Sequence, residues 1–187
     1  MSPNLPQIIG PLWGLSELCL GLVKRSRSNA TSKDRHSLAA IWLVYLFTIP
    51  LAIVAAYHLP ECSIPWPQWL PGLGFGLFAL GLVLRFYSIM HLGRFFTVNV
   101  AIATDHRLVS AGPYRFVRHP SYTGAMLAAF GFALSFQNWA SLLIIFIPCC
   151  AVMRWRIYVE ERALLDALGE EYRSYMRRTK RLIPWIY

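Results

Sequence analysis

The chain alternates long apolar runs with short polar breaks, and the breaks carry nearly all of its charge. Apolar runs cover residues 7–23, 37–59, 69–90, 122–136 and 139–153. A helix crossing a bilayer needs about 20 apolar residues. The second and third runs meet that length. The fourth and fifth are shorter and are separated only by Gln137-Asn138, which predicts a tight helical hairpin whose second arm continues beyond the membrane face. The expected fold is therefore all-α, a polytopic membrane protein with five transmembrane helices.

Charge placement gives the expected orientation. The first polar break holds Lys24, Arg25, Arg27, Lys33 and Arg35, whereas residues 60–68 hold no Lys or Arg. Later basic residues begin near the end of the third run. The positive-inside rule then sets the N-terminus outside and the C-terminus in the cytoplasm. The N-terminus lacks a basic n-region and the first run lacks a small-residue cleavage site, so it reads as a retained helix.

Composition agrees with this picture. Of 187 residues, 56% are hydrophobic and 14% charged, against about 25% charged in a typical soluble domain. The net charge of +9 comes from 18 Lys and Arg against 9 Asp and Glu. With such apolar runs, a basic balance points to membrane topology and lipid contact, not to nucleic acid. The four cysteines, Cys19, Cys62, Cys149 and Cys150, form no CxxC pair and read as small apolar residues, with no metal site expected.

Two segments bring chemistry. Residues 93–121 are too polar to span, and Asp105, Gly112, Pro113 and Pro120 interrupt regular structure, so a cytoplasmic or re-entrant loop is expected. Within it Arg118, His119, Ser121 and Tyr122 converge on the start of the fourth helix. The residue before Pro120 is held extended, and free backbone N–H groups at a helix start attract anions. The second segment begins at Arg154. Arg156 and Glu160 are four apart and share a helix face, which fits either a plain intrahelical salt bridge or a site. Leu164, Leu165, Leu168, Tyr172, Tyr175 and Met176 predict an apolar face on the membrane surface or capping the pocket, and Pro184 ends any helix. Ionisable groups near hydrocarbon are costly and commonly functional. Glu17, inside the first run, is a functional acid, pairs with a neighbour or sits near an edge.

Gly74-Phe-Gly-Leu-Phe-Ala79 fits a loose nucleotide fingerprint, but no strand precedes it. Gly72, Gly76 and Gly81 are better read as small residues that let helices approach closely, within the monomer or between protomers.

The pieces Leu108-Val-Ser-Ala-Gly-Pro-Tyr114, Arg118-His-Pro-Ser-Tyr-Thr-Gly124, Glu160-Glu161, Gly169-Glu-Glu-Tyr172 and Arg181-Leu-Ile-Pro184, in this order, resemble the isoprenylcysteine carboxyl methyltransferase family. The resemblance covers residues 92–184, and the first two helices carry no signature. It implies an S-adenosylmethionine-dependent carboxyl O-methyltransferase with its active site at the cytoplasmic face. Its acceptor would be a lipophilic or prenylated molecule. By matching position, Asn99, His106, Arg107, Leu108, Val109, Tyr114, Arg118, His119, Pro120, Ser121 and Tyr122 would surround the cofactor, with Glu160 on its amino group and Arg156 orienting the substrate carboxylate as the catalytic residue. Eukaryotic members have a longer acidic run before the paired glutamates, where this chain has Tyr158-Val159. Residues 1–92 would form the first three helices and residues 93–187 the catalytic half of one membrane domain. Alternatives are a phospholipid-amine or small-thiol methyltransferase, for which a base such as His119 would matter more, and an NADPH-dependent sterol-type reductase, which shares Arg-His-Pro-x-Tyr.

Overall fold

The computed structural model describes residues 5–23, 36–65, 68–96 and 107–187. Its elements are α1 (Leu5–Val23), α2 (His36–His58), α3 (Leu70–Leu92), α4 (Pro120–Leu134), α5 (Trp139–Leu168) and α6 (Glu170–Arg178), with short 3-10 turns at Pro60–Cys62, Gly93–Phe95 and Gly112–Arg115. No strand occurs among the described residues, and the all-helical expectation holds. The basic loop carrying Lys24, Arg25, Arg27, Lys33 and Arg35 lies outside the described residues, as does Asp105.

Three helices are long and apolar enough to cross a membrane among the described residues: α2, α3 and α5. Five were expected. With 15 residues, α4 reaches only about 22 Å at 1.5 Å per residue, short of a hydrocarbon core of about 30 Å. The 19 residues of α1 include Pro11 and Glu17, and its run does not qualify. The outer faces of α2 and α3 expose Leu46, Phe47, Leu51, Leu80, Val83 and Met90, as lipid-facing helices do.

The tightest packing joins α3 to α4, and the glycines explain it. A Cβ on Gly74 would lie 2.7 Å from the Gly131 carbonyl, and one on Gly124 would lie 2.6 Å from the Arg85 amide nitrogen. One on Gly81 would collide with the Ala128 backbone nitrogen. Only a missing side chain lets these backbones meet. Gly72 and Gly76, expected to serve here, have open space where a Cβ would point. Gly74 and Gly81 are seven apart, two helical turns, and fall on the α4 side.

Aromatic rings seat α1 on this pair. Trp13 packs edge-on against Tyr45 at 5.1 Å, Phe78 at 5.5 Å and Phe132 at 5.8 Å. At the far end of α4, Gln137 (φ 52°) and Asn138 turn the chain within the predicted hairpin. Asn138 caps α5 by accepting from the Ser141 amide at 3.0 Å, and its own amide donates to the Leu59 carbonyl at 2.9 Å. The cap and the loop after α2 thus hold each other.

Past Met153 the α5 helix runs on as a polar extension to Leu168. Gly169, at φ 54°, ends it and starts α6 at once, so the expected continuous helical face is broken into two arms. α6 then turns its buried Tyr172 and Tyr175 under the segment before α4. Cys149 is buried, as expected of a small apolar residue, while Cys19 is exposed on α1.

Candidate active site

The segment before α4 is tied down from below. The Arg118 and His119 amides donate to the Lys180 and Arg181 carbonyls at 2.8 and 3.0 Å, and the Thr123 hydroxyl donates to the Leu182 carbonyl at 2.8 Å. A C-terminal strap thereby runs beside residues 117–119. Tyr175 adds a hydrogen bond from its hydroxyl to the Tyr114 carbonyl at 2.6 Å. Burial pushes the Tyr175 phenol up to about 12, so it stays a donor there.

This tethering changes what the start of α4 offers. Its first residue, Pro120, has no N–H, and the Tyr122 and Thr123 amides both donate to the His119 carbonyl at 3.0 Å. The expected row of free backbone donors is therefore largely used within the turn, because His119, at φ −125° and ψ 57° and not in the extended form expected before Pro120, aims its own carbonyl back at them.

The side chains divide into two groups. Arg118 lies inward: its Nε donates to Glu161 at 2.9 Å and its Nη1 to the carbonyls of Met176, at 3.2 Å, and Thr179. Glu161 also accepts from Arg181, Nε at 3.0 Å and Nη2 at 2.9 Å, and lies 3.4 Å from His119 Nε2. A carboxylate with two guanidiniums and an imidazole is a buried, compensated cluster. Its function is to fix the loop to α5 and the strap.

Glu160 belongs to the other group. Its side chain keeps 28% exposure, against 5% for Glu161. The Tyr122 hydroxyl donates to Glu160 Oε2 at 2.6 Å and accepts from Arg156 Nε at 3.1 Å. The tyrosine thus bridges the two residues whose spacing had suggested a direct salt bridge. Arg156, buried, also donates to the Ser37 hydroxyl of α2 at 2.9 Å. His119 is buried and stacks on Tyr122 with ring centroids 5.6 Å apart. Tyr114 is buried too, its hydroxyl donating to the Ser88 carbonyl at 3.3 Å and its ring stacked near His91.

Arg156 and Tyr122 face a cavity between the helices, lined further by Leu38, Trp42, Tyr45, Ala125 and Met153. Its walls are mostly apolar and aromatic, with Tyr122 and Arg156 among its few polar groups, the form of a site for a lipophilic molecule with a polar end. Glu17 and Arg85 also line it, joined by hydrogen bonds from Arg85 Nε and Nη2 to the two Glu17 oxygens at 2.7 Å each. Glu17 is therefore paired, with Arg85 as its partner.

Of the other expected cofactor contacts, Arg107 is exposed and Leu108 and Val109 are half-buried in the loop. Ser121 is buried, its hydroxyl accepting from Arg85 at 3.3 Å, and Pro120 is fully buried. Asn99 and His106 lie outside the described residues. Sequence reasoning missed Ser37 as a support for Arg156, and Arg181 as a partner of Glu161. Neither has a local signal, since both contacts join distant parts of the chain.

A family model described as phospholipid methyltransferase matches residues 70–171. The chain belongs to that family. It is accordingly a membrane methyltransferase, and the reductase alternative is set aside. The chain is 30% identical over 173 residues to protein-S-isoprenylcysteine O-methyltransferase B of Arabidopsis thaliana, covering 91% of this chain and 87% of that one. It is 34% identical over 113 residues to the protein-S-isoprenylcysteine O-methyltransferase of Schizosaccharomyces pombe, of which it spans only 48%. Among solved structures it resembles a eukaryotic intramembrane Ras methyltransferase, an isoprenylcysteine carboxyl methyltransferase, with a TM-score of 0.66 and 28% identity over 82% of this chain and 55% of that one. The family match starts at α3, so α1 and α2, which supply Glu17, Ser37 and much of the cavity wall, lie outside it.

Proposed function

We propose that this chain transfers a methyl group from S-adenosylmethionine to the carboxylate of a lipophilic, isoprenylcysteine-like acceptor at the cytoplasmic face of a membrane. The reading includes the five-helix, N-outside arrangement and a catalytic half beginning near residue 93. One observation carries it: the Tyr122 hydroxyl joins Arg156, at an apolar intramembrane cavity, to Glu160, on the open side of the paired glutamates.

The residues present suit the cofactor. Glu160 is partly exposed and anionic, a partner for an ammonium group. Tyr172 is buried with its hydroxyl unpartnered. Burial, with the charges of Glu161 and Glu160, pushes that phenol well above its ordinary range, so it remains a donor in search of an acceptor. In this reading Glu160, Tyr114, His119, Ser121, Tyr122 and the stretch 107–109 surround the cofactor, with Asn99 and His106 from the adjoining loop. Arg118 holds that wall in place through Glu161.

Bound there, S-adenosylmethionine supplies a methyl group on a positively charged sulfur, and the acceptor takes it without giving up a proton. A carboxylate is already ionised at neutral pH, so the chain need not provide a base. Arg156 orients the acceptor through its planar fork, and Ser37 and Tyr122 fix the guanidinium in turn. The apolar walls exclude water and admit the lipid chain. Orientation of this kind can contribute about 7–11 kcal/mol to lowering a two-reactant barrier. With Arg85 paired to Glu17, the Arg156 guanidinium still faces the cavity, which favours an anionic acceptor over the amine head group suggested by the family description.

The test uses the purified protein with S-adenosylhomocysteine and an S-prenylcysteine acid. Glu160→Ala should weaken S-adenosylhomocysteine binding. Arg156→Ala should bind it normally and lose carboxyl methylation. Normal binding and wild-type turnover in both variants would sink the assignment.

A further inference from the structure

Glu17 on α1 and Arg85 on α3 form a doubly bonded ion pair between the helices, with side chains only 14% and 12% exposed. Both Glu17 oxygens are used on Arg85, and the remaining Arg85 nitrogen, Nη1, turns to the Ser121 hydroxyl and carbonyl at 3.3 and 3.4 Å. All of the fork is thereby engaged by the protein. Yet both residues line the same cavity as Arg156 and Tyr122.

That placement has a chemical consequence. Without Glu17, an entering carboxylate would meet the unpaired Arg85 guanidinium as well as that of Arg156 in a low-dielectric cavity. It would bind tightly, and it would also be a poorer nucleophile, because stabilising the ground-state charge more than the transition state slows the reaction. Methyl transfer spreads the negative charge that two arginines would pin. We propose that Glu17 is a positioning residue which occupies Arg85, keeping it from the acceptor carboxylate and leaving Arg156 to orient that group. The inference rests on the reading of the acceptor as a carboxylate. A mere staple between α1 and α3 would need the pair as well, but it would make no distinction between a charged acceptor and a neutral one.

That distinction is the test. N-acetyl-S-farnesylcysteine and its methyl ester differ only at the reacting end, by one methyl group and the charge. Their affinities are measured for the wild type, for Glu17→Gln and for the double variant Glu17→Gln/Arg85→Gln, each with S-adenosylhomocysteine bound. Glu17→Gln should bind the acid at least about tenfold tighter, the scale of one uncompensated charge about 12 Å away at an effective dielectric of about 20, and more if it lies nearer. Its affinity for the ester should not change, and both KM and kcat for the acid should fall. The double variant should reverse the tightening. Equal changes for acid and ester, or a raised KM in Glu17→Gln, would overturn the proposal. If Glu17→Gln does not fold, the double variant, which keeps two amides able to pair, decides alone. A selective loss of acid affinity in it would make Arg85 a carboxylate ligand and refute the proposal, whereas a preserved acid-to-ester ratio supports it. Failure of the wild type to bind or methylate the acid overturns the acceptor reading and this inference together. A wild type that methylates it beside a Glu17→Gln variant with unaltered constants overturns this inference only.

Discussion

Glu161 shares its two oxygens among Arg118, Arg181 and His119, while its neighbour Glu160 meets the Tyr122 hydroxyl at 2.6 Å. Successive helical residues point about 100° apart, from the 3.6-residue turn. One residue of the pair therefore faces the loop and strap, and the other the open side of the site. A double glutamate is thus two separate requirements: a structural anchor and a ligand-facing charge.

Substituting them singly should separate the two. Glu161→Gln leaves Arg118 and Arg181 without their shared anion, and breaking a buried pair costs roughly 3–5 kcal/mol. Arg118 retains two carbonyl acceptors, so the lower end of that range is expected. A detergent thermal melt should show a large drop. Glu160→Gln should melt near the wild type and lose affinity for S-adenosylhomocysteine in calorimetry. Equal melting losses would contradict the division.

Tyr122→Phe removes one oxygen that serves Arg156 and Glu160 together. Hydrogen bonds to charged groups are worth about 1.5–3 kcal/mol, so turnover should fall roughly 10- to 100-fold. The ring stacked on His119 remains, so the melting temperature should change little. Single-turnover methylation beside a melt checks both halves.

The glycine contacts predict a sharp contrast along one helix. Gly81→Val forces side-chain atoms into the α4 backbone, and overpacking of this kind costs about 1–3 kcal/mol or more. Gly72→Ala and Gly76→Ala meet open space and should be neutral or slightly stabilising, since alanine is the better helix former by up to about 1 kcal/mol. Thermal melts of the three variants give the comparison.

Thr123→Val keeps the size of the side chain and deletes its bond to the Leu182 carbonyl. A loss of about 1 kcal/mol is expected. Protease cleavage after Lys180 or Arg181 should accelerate in the variant as the strap loosens.

Much of this architecture is written locally. The hairpin at Gln137-Asn138 follows from two polar residues between apolar runs, and the start of α4 from Pro120. The site's first and last parts were also legible, because Arg118-His-Pro-Ser-Tyr and the Arg156–Glu160 spacing are short-range patterns. What sequence could not supply was the pairing of distant charges. Nothing near Glu17 points to Arg85, 68 residues on, and nothing near Arg118 distinguishes an inward anchor from a cofactor ligand. The choice between glycines was only partly legible for a related reason: four glycines lie within about two and a half turns of α3, and only the position of α4 selects Gly74 and Gly81. Apolarity also does not tell length from burial: α2, α3 and α5 have crossing length among the described residues, while α4 has 15 residues, with Ala128, Ala129, Phe132 and Ala133 fully enclosed.

The strap also sets an order of events during synthesis. Arg118, His119 and Thr123 acquire partners at Lys180, Arg181 and Leu182, and Glu161 gains Arg181. Every membrane-crossing helix is translated before those residues exist. Synthesis of the crossing helices and completion of the site are therefore separate steps, and a nascent chain paused before Lys180 carries those helices without the partners that fix the segment before α4.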